Sequence, residues 1–329
     1  MTGEHKHRIV VSMQDVMTSS LAALLLIAGA ACSDDTSMAG DSGADSGGPD
    51  AGSDAAADGG RDAAAGDASV DAAIDTAVPP GPDAGGGDFT PYVHDDFEEY
   101  GEGGRPTGGF SRTTATSEQA YRGTQSARMA IEPGDNGGFG DWGAEYSIDP
   151  AVPKGGEVWV RVYAYWPSSF AFSASPYMKF LRLHNRDGAG ENDGYNDLYI
   201  DDADGPSTVL RCIKEVHDVW QTDEGPALPR DAWEHYEMYL YVDDVPVDSG
   251  GQGRFRIWRD GALVFDRTDV PTINTADGTV DLFLLFTYWN NEMPPSNHVF
   301  IDDVTIATSA SPPPNRDAAG NAFIGDWAP

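Results

Sequence analysis

From Val158 to Trp166, within the stretch Glu157–Asn185, polar and apolar residues take turns. Val158, Val160, Val162 and Ala164 fall on one side of an extended chain, and Trp159, Arg161, Tyr163 and Tyr165 on the other. Met178–Asn185 repeats the pattern, with Leu181 and Leu183 opposite Arg182 and His184. Trp233–Val242 does so again: Tyr236, Met238, Leu240 and Val242 oppose His235, Glu237, Tyr239 and Tyr241. A period of two predicts strands. Each has one face fit for a core and one that carries rings and charges.

The same reading places further strands at Asp95–Glu99, Phe110–Ala115, Ser126–Ile131, Ala144–Ile148, Asp197–Asp201, Thr208–Lys214, Gly253–Arg259, Leu263–Arg267, Val280–Tyr288 and Asn297–Ala307. No long stretch between Phe89 and Thr308 has a helical period. Many strands separated by turn residues predict an all-β fold, a two-sheet sandwich or jelly roll. Asp260-Gly261 predicts a tight hairpin, and Asp204-Gly205 a second one.

The rest of the chain divides differently. Residues 1–31 read as an export signal, with Lys6 and Arg8 ahead of Leu21–Gly29, an apolar stretch too short to span a bilayer. Ala30-Ala31-Cys32 resembles a bacterial lipoprotein signal in which Cys32 is lipidated, although Gly29 stands where such signals usually carry Leu. Ordinary cleavage beside the same alanines would leave Cys32 a thiol. The lipoprotein reading implies an exported protein at the bacterial cell surface or outer membrane, touching the membrane through its lipid anchor only. Residues 32–88 read as a tether. From Ser33 to Asp88 they hold thirteen Asp against a single Arg, with no aromatic residue. Such a stretch buries too little apolar area to offset its ordering entropy, and as a coil it spans roughly 40 Å. Residues 89–308 form the folded domain, and residues 309–329 a C-terminal tail. That tail is expected to pack loosely, with Phe323 and Trp327 able to dock.

The chain carries 20 Lys and Arg against 54 Asp and Glu, a net charge of −34, which argues against a nucleic-acid partner. Cys212 is the one cysteine besides Cys32, so no internal disulfide is expected and a hydrophobic core must hold the fold. Oligomeric state is not legible.

If the three patterned strands lie in one sheet, Arg161, Tyr163, Tyr165, Arg182, His184, His235, Glu237, Tyr239 and Tyr241 share one surface. Rings stack on sugars, while Arg and His hydrogen-bond hydroxyls or carboxylates. The plainer alternative is a solvated sheet face whose tyrosines reflect β-propensity. The ring-and-charge pattern favours a ligand surface, and a polysaccharide as the ligand.

Several segments occur in an order that resembles a known family. They are DDFE at Asp95–Glu98, VWVRVYAYWP at Val158–Pro167, KFLRL at Lys179–Leu183, WEHYEMYL at Trp233–Leu240, GRFRIWRDGALV at Gly253–Val264, FTYWN at Phe286–Asn290 and FIDDVTIA at Phe300–Ala307. Together they resemble the concanavalin A-like jelly rolls of polysaccharide-lyase type, glucuronan-lyase-like and fungal cellulose-induced lyase-like proteins among them. The likeness covers most of Asp95–Ala307 and implies β-elimination at a uronic acid. That chemistry needs a group to neutralise the carboxylate, a base, and an acid for the leaving oxygen. Arg182 would neutralise, His184 or Tyr239 would take the proton, and Tyr288 would give one. Asn290 joins the substrate-binding set with Arg161, Tyr163, Tyr165, His235, Glu237 and Tyr241. The alternative for His184 is a hydrogen-bonded sheet histidine.

Hydrolysis would need two carboxyls facing one bond. Glu234 and Glu237 lie an odd number of positions apart and face opposite ways, so a hydrolase is disfavoured. Related carbohydrate modules hold a structural calcium where first and last strands meet, which makes Asp96, Glu98 and Asp303 the candidate Ca2+ ligands. The glycine-rich acidic stretch Asp187–Asp197 matches no EF-hand spacing and reads as a groove-side loop. Residues 89–329 hold 17 basic against 39 acidic residues, a charge that opposes a polyanionic substrate and leaves a non-catalytic carbohydrate-binding or adhesive protein as the alternative to a lyase.

Overall fold

The computed structural model describes residues 89–132, 140–172, 177–201, 209–217, 219–223, 225–287 and 296–329. The export signal, Cys32 and the tether fall outside these residues, as do Tyr288, Asn290 and the Asp204-Gly205 turn. The strands are β1 Val93–Asp95, β2 Thr113–Thr116, β3 Ser126–Ile131, β4 Ala144–Pro153, β5 Glu157–Tyr165, β6 Tyr177–Arg186, β7 Asn192–Asp201 and β8 Val209–Lys214. They continue with β9 Val219–Asp223, β10 Trp233–Tyr241, β11 Arg254–Arg259, β12 Ala262–Arg267, β13 Thr279–Leu285, β14 Asn297–Thr308, β15 Asn315–Arg316 and β16 Ala322–Phe323.

Among the described residues these strands build two large antiparallel sheets. The larger runs β12-β11-β10-β5-β14-β3-β2, with β1 paired to the second half of β14. The smaller runs β4-β13-β6-β7-β8-β9. The described residues therefore form an all-β sandwich of jelly-roll type. Its core is the set of apolar faces that the alternation predicts. Val158, Val160 and Val162 of β5 and Met238 and Leu240 of β10 join Leu183 of β6, Leu198 of β7 and Phe283 of β13 in one buried cluster. Removing each large side chain from water contributes about 1.5–3 kcal/mol. At one end of the core Phe286 stacks on Trp142 and on Phe180, with centroids 4.7 and 5.0 Å away. Cys212 faces inward and is fully buried.

The Asp260-Gly261 hairpin forms as expected. Both residues take positive φ, 47° and 74°, the conformation a two-residue turn of this hand needs. The expected strand at Asp95–Glu99 stands corrected, since β1 ends at Asp95. Asp95 Oδ1 then accepts the Phe97 N–H at 3.1 Å, turning the chain and sinking the Phe97 ring into the core at φ 62°. Two features of the sequence went unread: the edge strand β9, and the β15–β16 hairpin inside the tail.

That tail is packed down. Its hairpin lies on the outer face of the larger sheet, where Trp159 Nε1 donates to the Ala322 carbonyl at 3.0 Å and Trp258 Nε1 to Asp317 at 2.9 Å. Phe323 stacks on Trp258, Trp327 meets Phe89 edge-on, and Ile324 is fully buried. These contacts make a second, smaller apolar cluster outside the main core.

Candidate functional site

The outer face of the smaller sheet owes its chemistry to an irregularity in β6. Lys179 sits opposite Tyr199 and Leu181 opposite Leu198, so Phe180 is one residue too many. Phe180 and Leu181 both enter the core. The bulge turns Lys179 and Arg182 to the same outward face although they are three residues apart. On β7 Tyr195, Asp197 and Tyr199 alternate with the inward Leu198 and Ile200 and meet them there.

Arg182 is the hub. Its Nε donates to Asp197 Oδ1 at 2.6 Å, Nη1 to the Thr287 hydroxyl at 2.9 Å and Nη2 to Glu215 Oε2 at 2.9 Å. The Tyr195 ring lies over the guanidinium, 3.6 Å from its centroid, and Arg182 is 1% exposed. Burial pushes Asp197 up to about 6, and the Arg182 charge opposes that rise. Beside this hub Lys179 reaches Glu215 Oε1 at 3.3 Å. Burial lowers the Lys179 pKa and the nearby Arg182 charge adds to the effect. The Tyr199 hydroxyl donates to Asp197 at 3.2 Å and to Glu215 at 3.3 Å, and burial raises its pKa.

Toward the sheet edge the surface becomes aromatic. Tyr177 stacks on Tyr199 with centroids 4.8 Å apart, and Trp220 of β9 lies 5.3 Å from Tyr177 and edge-on to Tyr199 at 5.7 Å. Tyr177 and Trp220 are partly exposed. Lys179 and Arg211 lie over the Tyr199 and Trp220 rings at 5.6 and 5.8 Å. Arg211 in turn donates to Asp201 at 2.8 and 2.5 Å. The other end of the face holds Tyr195, about 13 Å from Tyr199 at the rise of a strand. His184 lies there too, its Nδ1 2.6 Å from Asp281 and its Nε2 3.0 Å from Asn192 Oδ1.

These positions correct several expectations. Arg161, Tyr163, Tyr165, His235, Glu237, Tyr239 and Tyr241 belong to β5 and β10 of the larger sheet, while Arg182 and His184 belong to the smaller one. The inner faces share a core, so the two outer faces point away from each other and no single surface gathers all nine. Arg182 has its three nitrogens committed to neighbours, which leaves it a structural hub and not a carboxylate clamp. His184 has partners on both ring nitrogens, Asp281 and Asn192. Tyr239 donates to Glu157 at 2.8 Å and packs on Trp159, on the opposite side of the molecule from His184.

The larger sheet's outer face is largely covered. Arg161 Nη1 donates to the carbonyls of Gly325 and Trp327, and Glu237 accepts the N–H groups of Ile324 and Gly325. Both side chains are fully buried. Tyr241 packs against the cluster beneath the tail. Tyr163 stacks on Tyr121 and lies near His235, whose pKa burial lowers to about 4. Tyr165 contacts Trp233 and Phe300.

The calcium ligand set does not fit an ion. Asp303 is met by Arg161 at 2.7 Å, Arg122 at 3.0 Å and His94 at 2.8 Å, so two guanidinium groups and an imidazole already surround it. Glu98 accepts the N–H groups of Thr124 and Gln125 at 2.6 and 2.8 Å, and Asp96 accepts only the Glu98 N–H at 3.3 Å. No group of three or more His, Cys, Asp or Glu among the described residues is arranged to hold a metal.

Sequence reasoning missed Tyr177, Lys179, Tyr195, Asp197, Tyr199, Glu215 and Trp220 as site residues. A signal was there: YNDLYID alternates as cleanly as the opening stretch. Reading Asp187–Asp197 as a loop hid half of it, because β7 already begins at Asn192. For Lys179 alternation misleads, since it assigns that side chain to the core and only the bulge brings it out.

No protein-family model matches the chain, and no curated protein matches it. Solved structures similar to it include the endo-β-1,4-glucuronan lyase of the fungus Trichoderma reesei, at 17% identity and a TM-score of 0.45, covering 66% of this chain and 95% of that one. Alginate lyase Aly36B is similar at 14% identity and a TM-score of 0.47, covering 65% and 96%. The alginate lyase vAL-1 of a Chlorella virus follows at 12% and 0.45, covering 60% and 90%. At such identities and scores these are likenesses of outline. The fold assignment rests on the two sheets themselves, and the chemistry on the side chains they carry.

Proposed function

We propose that this chain binds polysaccharide along the outer face of its smaller sheet. One observation carries the reading: Tyr177 and Trp220, partly exposed and backed by the buried Tyr199, form a ring platform beside Lys179, Arg211, Asp201 and Glu215, on a face whose reverse side is already the core. Sugar rings present apolar faces and a rim of hydroxyls. Stacked side chains complement the faces, and carboxylates accept from the rim. An extended face with polar groups at both ends, Tyr195 with Asn192 at one and Tyr177 with Trp220 at the other, suits a chain of sugars better than a single small molecule.

β-Elimination is the second reading, and the position of Lys179 favours it: burial makes it shed its proton more readily than an ordinary lysine, as a base requires. Tyr199 beside it holds its proton more firmly than usual, which makes it a weaker acid. The third requirement is a cation for the uronate carboxylate, and Arg182 is already committed to Asp197, Glu215 and Thr287.

Electrophoresis of the full chain through native gels that contain soluble polysaccharides tests the binding reading. Retardation that Tyr177→Ala and Trp220→Ala abolish supports it. Unchanged retardation in both variants moves the ligand to another surface. Ultraviolet absorbance of unsaturated product, followed with polyuronates and compared with Lys179→Met, reports on elimination.

A further inference from the structure

Resting on the polysaccharide reading, we infer that the ligand of this face is a neutral glycan and not a polyuronate. The argument comes from where the basic side chains are spent. Beyond residue 88, the segments outside the described residues contain no Lys, Arg or His, so each basic group of the domain has a described position. On the outer face of the smaller sheet the Lys and Arg side chains are Lys179, Arg182 and Arg186 of β6 and Arg211 of β8.

Each of them already holds a carboxylate of the protein. Lys179 has Glu215, and Arg182 has Asp197 and Glu215. Arg186 has Asp281, and Arg211 has Asp201. His184 shares Asp281 with Arg186. Lys214 of β8 turns inward, fully buried, and donates to the Thr272 carbonyl at 3.0 Å. His217, in the short 3-10 turn that follows β8, meets Asn274 at 3.1 Å.

Four Lys and Arg side chains thus face four carboxylates, Asp197, Asp201, Glu215 and Asp281, and Glu145 of β4 adds a fifth acid on the flank. A uronate laid on this face would have to displace a tethered carboxylate from every cation it met. The cost would repeat at each sugar along the polymer. Around the face residues 89–329 are acidic, 17 basic against 39 acidic residues, so the approaching polyanion is repelled as well. Neutral sugars meet the opposite situation. Their hydroxyls can donate to Asp201 and Glu215, which keep accepting capacity beside their ion pairs, and their ring faces match Tyr177 and Trp220.

Native gels loaded with a soluble neutral glucan, a galactomannan, alginate or polygalacturonate decide the matter, run with the full chain and with Trp220→Ala at low and high salt. The expected result is retardation by at least one neutral polymer, about equal at both salt concentrations, lost in Trp220→Ala, and absent with both polyuronates. Retardation by a polyuronate that Trp220→Ala removes overturns the neutral assignment while leaving the polysaccharide reading intact. Failure of all four polymers to retard the chain, or retardation indifferent to Trp220→Ala, overturns the polysaccharide reading and the inference with it.

Discussion

Arg161, midway along β5, donates from Nη1 to the carbonyl of Trp327 at 2.8 Å, joining the third-last residue of the chain to the centre of the larger sheet. The same nitrogen reaches the Gly325 carbonyl at 2.6 Å, and Nη2 reaches Asp303 at 2.7 Å. Across the face Glu237 grips the same tail segment from the other side, accepting the Ile324 N–H at 2.6 Å and the Gly325 N–H at 3.0 Å. A guanidinium that holds carbonyls and a carboxyl that holds N–H groups clamp one stretch of main chain. The tail therefore acts as a strap that completes the larger sheet.

Breaking the clamp will be costly. Arg161→Ala leaves Asp303 buried beside a hole and is expected to lower stability by about 3–5 kcal/mol, the range for removing one partner of a buried pair. Ending the chain after Ser311 should cost a comparable amount. Since the two changes remove the same contacts, their combination should fall well short of additive in denaturant titrations. Full additivity would mean that the strap and Arg161 act independently.

Glu237 makes the strap sensitive to pH. Burial raises its carboxyl from 4.5 to about 8, against the pull of the two N–H donors and of Arg161. In this window the folded chain binds a proton that the unfolded chain has released, so stability declines as pH rises. The loss should run from about pH 4.5 to about pH 8. Asp302, raised by burial to about 7, contributes with the same sign. Denaturation midpoints measured across that range should fall steadily for the native chain and more gently for Glu237→Gln. Equal slopes would show that Glu237 does not titrate in the window.

Asp95 repeats the logic at the other margin of the sandwich. Its carboxyl accepts the Phe97 N–H and the hydroxyls of Tyr100 and Tyr146, the latter two at 3.3 Å, and burial raises it from 3.8 to about 6. Its contribution is present below about pH 4 and is lost as pH passes about 6. Asp95→Asn should flatten that part of the profile and leave the decline between pH 6 and pH 8 in place.

The sandwich was legible because its core strands obey a period of two. Val158, Val160, Val162 and Ala164 point inward as the alternation requires, and so do Tyr236, Met238, Leu240 and Val242. Ser126–Ile131 was read to the residue, and the strand at Trp233 within one residue of its end. The site was less legible for two physical reasons. Alternation says which side of its own strand a residue faces, but not which sheet the strand joins, so Arg161 and Arg182 were placed together when they lie on opposite faces of the molecule. A bulge then resets the phase within β6, which hid Lys179. Neither Glu237 nor Arg161 carries any local mark that a segment near the chain's end will cover it.

Arg182 separates a structural role from a catalytic one. With Asp197 at 2.6 Å and fully buried, Arg182→Ala should destabilise the fold by about 3–5 kcal/mol. Arg182→Lys should recover little of this, because an ammonium cannot reach Asp197, Glu215 and Thr287 with one planar fork. A variant with normal stability and abolished ligand turnover would return Arg182 to the catalytic set.

Glu215 supplies the sharpest test of the charge matching on the smaller sheet. It stands on the short turn after β8, accepts from both Lys179 and Arg182, and has a side chain 33% exposed, so the fold should tolerate its neutralisation. Glu215→Gln leaves a carboxamide oxygen to accept but removes a negative charge from between two cations. Asp197 still faces Arg182, while Lys179 loses its ion pair with Glu215. The face should acquire a measurable affinity for polygalacturonate or alginate at low salt. That affinity should fade at higher salt, as screening over about 8 Å weakens an exposed charge pair. Retention of neutral polymer should change less, because the Tyr177–Trp220 platform is untouched. If Glu215→Gln gains no polyuronate binding while it still binds neutral polymer, matched charge is not what keeps uronates away, and the shape of the ring platform becomes the selecting feature.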